Sequence, residues 1–149
     1  MAYSRTNWVS GETPLSAANM NNIEEGIEGI NTNLGKTISV DDTTVSVPSS
    51  GTGNKILQTV TLQPGKYIFI AMVAFDANTS GMRGVSISTN TAVQSPYYVS
   101  IGAPSTGSAY VQVVRLVDLL TETVFRVIGR QTSGSNLSAT THSSIVRLK

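Results

Sequence analysis

Two hydrophobic rhythms divide this chain. From Met20, the apolar residues Ile23, Ile27, Ile30 and Leu34 follow at spacings of 3, 4, 3 and 4. That is the a/d repeat of a helical seam, with Met20, Ile27 and Leu34 at a, and Ile23 and Ile30 at d. Thr13-Pro14-Leu15-Ser16 supplies the start signals, with Ser16 as N-cap, and Gly35 supplies the stop. Isoleucine at both a and d favours three or four strands over two. The opposite face is rich in Asn and Glu, and Gly26 and Gly29 inside the helix each cost about 1 kcal/mol relative to alanine. A short helix with that handicap does not fold alone in water. Its partner is either its own head or further copies of itself. A docked helix usually carries a wider apolar face, so the narrow seam favours self-association.

After Gly35 the period changes to 2. The alternation predicts strands over Ile38–Val47, Ile56–Leu62, Lys66–Phe75, Arg83–Thr89, Tyr97–Ile101, Ala109–Leu119, Thr123–Gln131 and Leu137–Leu148. Between them lie turn-forming stretches such as Gln63-Pro64-Gly65 and Thr132-Ser133-Gly134-Ser135-Asn136. Eight short strands at this spacing predict a mainly β, antiparallel jelly-roll sandwich. The chain thus divides into an N-terminal segment with a helical stalk, 1–36, and a head, 37–149. Asp41-Asp42 interrupts the first strand, and the apolar parity changes across it from Ile38/Val40 to Val45/Val47, the mark of a bulge or tight turn. Val85 and Ile87 alternate with serines, as one core face and one wet face require. Tyr67–Phe75 and most of Tyr110–Leu120 are instead apolar on both faces. An apolar outer face needs a cover, and a neighbouring copy of the chain is the simplest one.

Composition supports the β reading and narrows the chemistry. Of 149 residues only 13% are charged, about half the usual share, and Ser, Thr, Asn and Gly fill the difference. Such a surface suits a virion or extracellular module better than a cytosolic enzyme. The net charge of +1 implies neither nucleic acid nor an anionic membrane as partner. Residues 1–36 hold two basic and four acidic side chains, the remainder eight basic and five acidic. Cysteine is absent, which excludes disulfides and thiolate metal sites. No apolar run reaches membrane-spanning length and no leader precedes the start, so synthesis in a cytosol without signal-directed export is expected.

Two ordered sets of residues resemble known families. Trp8, Thr13-Pro14-Leu15-Ser16-Ala17-Ala18-Asn19-Met20-Asn21-Asn22 and Ile23-Glu24-Glu25-Gly26-Ile27 resemble the N-terminal segment of tail-fibre, baseplate and related proteins of phages and prophages of Gram-positive bacteria. Leu62-Gln63-Pro64-Gly65-Lys66-Tyr67, Gly84-Val85-Ser86-Ile87-Ser88-Thr89-Asn90, Gln131-Thr132-Ser133-Gly134 and Ser144-Ile145-Val146-Arg147-Leu148 resemble the trimeric jelly rolls of the tumour-necrosis-factor and complement globular-head superfamily. The resemblances imply a homotrimer on the virion, with a coiled-coil stalk and jelly-roll heads. Trp8 and Pro14 would then belong to the segment that docks on other virion proteins. The chain is shorter than most such fibres, so a purely structural tail or capsid decoration fibre stands beside a receptor-binding one. A cytokine-like ligand fits the head alone, and the N-terminal motif argues against it.

Little in the chain speaks for catalysis. His142 is the only histidine, and its hydroxyl neighbours Thr141 and Ser143 are ordinary in so Ser/Thr-rich a chain; no Gly-x-Ser-x-Gly elbow is present. Asp41, Asp42, Asp76, Asp118 and Glu122 are scattered, with no sign of the converging pair that glycoside hydrolysis needs. No ligand cluster suggests a metal, no strand–glycine-rich–helix unit suggests a phosphate loop, and no cofactor is expected. Saccharide binding keeps its candidates: Arg83 after the Ser80-Gly81-Met82 turn, and Tyr97 and Tyr98 at a strand start. Being adjacent, the two tyrosines should face opposite sides of the strand.

Overall fold

The computed structural model describes residues 17–49, 53–92 and 97–148. Helix α1 (Ala17–Asn33) precedes eight strands: β1 (Thr37–Val47), β2 (Lys55–Leu62), β3 (Gly65–Phe75), β4 (Met82–Ser88), β5 (Tyr98–Gly102), β6 (Ala109–Leu119), β7 (Thr123–Gln131) and β8 (Leu137–Arg147). Each predicted strand is present, with ends displaced by at most one residue. Trp8 and Pro14, the proposed attachment residues, and the Ser16 cap lie outside the described residues.

The strands form two four-stranded sheets, β1-β8-β3-β6 (sheet A) and β2-β7-β4-β5 (sheet B). Every ladder is antiparallel. Only the β4–β5 connection stays within one sheet; every other connection crosses to the opposite one, which makes the sandwich jelly-roll-like. The reason is visible in the strand parity. Tyr67, Phe69, Ala71, Val73 and Phe75 of β3 and Val111 and Val113 of β6 meet Val85 and Ile87 of β4 and Phe125 and Val127 of β7 in one buried core. Phe69 and Phe125 pack edge to face across the sheets, with centroids 6.2 Å apart.

Two bulges adjust that parity. In β1, Asp41 and Asp42 together oppose His142, because Val40 pairs with Ser143 and Thr43 with Thr141. In β2, Leu57 is the extra residue between Ile56 and Gln58, and it lets Leu57 and Gln58 both turn inward. Gln58 then joins the strands: its Nε2 donates to Asp41 O at 2.8 Å and its Oε1 accepts from Ser143 Oγ. At the opposite end buried Gln131 donates to Val47 O (2.9 Å) and Ser135 O (2.7 Å) and accepts from Ser133 N–H. The β7–β8 turn is thereby tied to the end of β1.

Helix α1 ends as the sequence predicts, on Gly35 at φ 73°. Leu34 lies one residue beyond the helix but keeps its bond to Ile30 O (2.9 Å). The junction is held by Gly35 N–H on Arg147 O and Arg147 N–H on Lys36 O. No strand packs along the helix among the described residues. Ile27, Ile30 and Leu34 are 54%, 61% and 59% exposed, so the seam is not docked on its own head.

One buried group in the core is out of place. Thr141 is fully buried and its Oγ1 has no hydrogen-bond partner. Thr141→Val keeps the shape and removes the stranded hydroxyl, so it should raise stability by about 1 kcal/mol, read from urea melts.

Candidate functional site

Strand parity assigns each residue of a sheet to the core or to an outer face, and the two outer faces here differ in character. On sheet A, cross-strand register places Ile68 beside Leu116 and Val146, Ile70 beside Val114 and Ser144, Met72 beside Gln112 and His142, and Ala74 beside Tyr110 and Thr140. The edge formed by β6 is apolar and open: Leu116 is 68% exposed, Tyr110 63% and Val114 55%. The half built on β8 and β1 is polar, with Thr140, His142 and Ser144 outward on β8 and the pair His142 Nδ1–Asp42 (2.7 Å), and the pair Lys66–Asp118 (2.7 Å) stands at the end of the apolar edge. An exposed apolar strip bordered by polar residues is the mark of a protein interaction surface. On α1, Ile23, Gly26, Ile27 and Ile30 line a shallow, open apolar hollow.

The outer face of sheet B is built on β4, β5 and β7. Ser86 pairs with Ile128 on one side and Tyr98 on the other; Gly84 pairs with Arg130 and Ser100; Ser88 pairs with Arg126. Tyr98 lies down along this face. A Cβ on Gly84 would stand 2.1 Å from the Tyr98 hydroxyl and 2.4 Å from its ring, so only glycine admits the ring there. The hydroxyl end of Tyr98 therefore reaches the row that Arg130 and Ser100 occupy. Ile128, although it points away from the core and stands in register between Ile56 and Ser86, is fully buried, and so are Ser86 and Ser88, so this side of β4 is not the wet face that its serine alternation predicts.

The other sequence candidates go elsewhere. Arg83 is not at the surface: it is fully buried, because it shares parity with Val85 and Ile87. Its guanidinium donates to Ser80 O (2.6 Å), Met82 O (3.3 Å) and Asn78 O (2.8 Å). Burial lowers its pKa from the ordinary value, and the three carbonyls hold the charge in place. Arg83 is thus a clamp on the β3–β4 turn, which corrects its reading as a receptor contact. Tyr97 turns to the other side from Tyr98, as adjacency predicts, and its ring lies 4.0 Å from the Arg115 guanidinium. Arg115 also faces Phe125 (5.1 Å) and donates to Ile87 O (2.9 Å); burial lowers its pKa, with Tyr97 opposing that shift. Tyr97 therefore closes one end of the core. Of the three candidates Tyr98 alone belongs to the outer face of sheet B. Arg126 and Arg130 were not singled out from the sequence, though both share the outward parity of Ile128.

His142 and Ser143 lie on opposite faces of β8, Ser143 bonded inward to Gln58 and His142 outward to Asp42. Among the described residues no group of three or more His, Asp or Glu side chains is placed to hold a metal ion, and no helix is long and apolar enough to cross a membrane.

Two substitutions check these assignments. Arg83→Met should lower stability by about 2–4 kcal/mol in urea melts, because the turn carbonyls of Asn78 and Ser80 lose their guanidinium donor; a surface residue would change it little. Gly84→Ala should cost about 1–3 kcal/mol by driving Tyr98 off the sheet, visible as a shift in the near-ultraviolet tyrosine signal.

No family model and no curated protein matches the chain. Solved structures similar to it include a de novo designed double-stranded β-helix, 12% identical with a TM-score of 0.35, covering 70% of this chain and 99% of that one. An arabinose-bound α-L-arabinofuranosidase is 17% identical with a TM-score of 0.38, covering 70% of this chain but 19% of that enzyme. At these scores neither likeness carries an argument about fold or function.

Proposed function

We propose that this chain is a virion protein of a phage or prophage: a homotrimeric fibre whose N-terminal segment docks on other virion proteins and whose jelly-roll head binds a host cell-surface polymer, most simply a saccharide. The observation that carries the trimer is the pairing of two uncovered apolar surfaces in one chain. The α1 seam is solvent-exposed in the isolated chain, and so is the apolar β6 edge of the outer face of sheet A. Burying a side chain such as Leu116 contributes about 1.5–3 kcal/mol, and a closed ring of copies would bury both surfaces together. The a/d seam with isoleucine at both positions favours three helices over two. The virion assignment rests on the resemblance of residues 8–27 to phage N-termini, and the receptor role on the Tyr98 face.

Light scattering on the full chain should give three times 15.7 kDa; a monomer at micromolar concentration would remove the reading. Ile27→Asp and Leu116→Asp add charge at positions that are exposed in a single chain and buried in the trimer. In a monomer neither should move the melting temperature, whereas in the trimer each should dissociate the assembly or lower its melting temperature by several degrees. Co-sedimentation with Gram-positive cell walls tests the receptor role, since a decoration fibre should stay in the supernatant.

A further inference from the structure

The four strands of sheet B contain Lys55, Arg83, Arg126 and Arg130 and not one Asp or Glu. Arg83 is consumed inside the turn. Arg126 and Arg130 are left on the outer face, half-buried, four residues apart on β7 and about 13 Å from each other along the strand. Between them Ile128 is fully buried, and the partly buried Tyr98 lays its ring over Gly84 on the neighbouring strand β4. Arg126 is already oriented, since it donates to Thr89 O at 2.9 Å. Gly84 brings the Tyr98 hydroxyl end into the row of Arg130 and exposed Ser100.

We infer that this face is a binding site for an acidic saccharide, a refinement that rests on the receptor-binding reading above. The Tyr98 ring offers an apolar platform for the C–H face of a sugar ring. The Tyr98 ring fills the space over Gly84, and its hydroxyl and the Arg130 fork donate together to a carboxylate placed beside that hydroxyl, in the row of Arg130 and Ser100. Arg126 takes a second acidic group further along the polymer. A neutral glycan would leave both guanidinium groups unused, and a polyanion without rings would leave Tyr98 unused. Charge complementarity and the aromatic together therefore select an acidic glycan.

Affinity electrophoresis of the full chain through gels containing polygalacturonate, its fully methyl-esterified form or polyglutamate tests the site. Polygalacturonate should retard the protein, the ester should not, and polyglutamate should do so at least about tenfold more weakly. Arg130→Gln and Tyr98→Leu should each weaken the polygalacturonate interaction by about tenfold or more while the assembly mass stays unchanged. Absence of retardation by polygalacturonate, equal retardation by polyglutamate or by the ester, or undiminished binding by both variants overturns the site. Cell-wall co-sedimentation keeps the two ideas apart. If walls still capture both variants fully, the receptor-binding reading stands and this face is not the site; if walls do not capture the wild-type chain, the receptor-binding reading itself falls.

Discussion

Every strand of the sandwich must place alternate side chains against the opposite sheet, and the rest of the molecule depends on how that parity is kept. Where it holds, Phe69 and Phe125 meet across the core with the valines and isoleucines of β3, β4, β6 and β7 around them. Where an extra residue enters, as at Asp41-Asp42 and Leu57, the strand bends and a polar residue is carried inward. Gln58 then has to find partners inside, and it does so on Asp41 and Ser143, which lace the edge of sheet B to sheet A. The bulges are thus joints between the sheets.

The same parity explains the two inward-facing cations. Arg83 and Arg115 both stand at inward positions, next to residues that could only be core. Backbone carbonyls take the place of a counterion: Asn78, Ser80 and Met82 for Arg83 near the start of β4, and Ile87 of β4 for Arg115 in the middle of β6, with Tyr97 and Phe125 as additional π partners. An arginine is suited to this because its planar fork reaches several acceptors at once. Arg83 thereby orders the β3–β4 turn, and Arg115 ties β6 to β4 across the two sheets.

What parity leaves outside the core is divided unequally. Sheet A turns outward an apolar strip along its β6 edge, with the pair Lys66–Asp118 at its end, whereas sheet B turns outward two half-buried arginines, Ser100 and a tyrosine laid over a glycine. In the proposed assembly the first face is spent on neighbouring copies and the second stays free for a ligand. A molecule that used one face for both would lose its binding surface on association, so the asymmetry is functionally coherent.

The sequence by itself determined the helix, all eight strands, their turns and the bulge at Asp41-Asp42, because these depend on local period, glycine and proline chemistry and the switch of apolar parity. It also exposed the excess apolar face of β3 and β6, since a strand apolar at every position cannot hide both sides in a two-layer fold. Only the tertiary structure decided where the polar residues went. Arg83 reads as a loop-edge residue along the chain, yet the parity it shares with Val85 and Ile87 buries it once β4 is paired between β7 and β5. Tyr98 gains its position from Gly84, which is distant in sequence and adjacent only after β4 and β5 pair. Arg130 comes near the Tyr98 hydroxyl end through strand order, because the intervening β4 puts Gly84 between them, a property of the sheet that no local pattern contains.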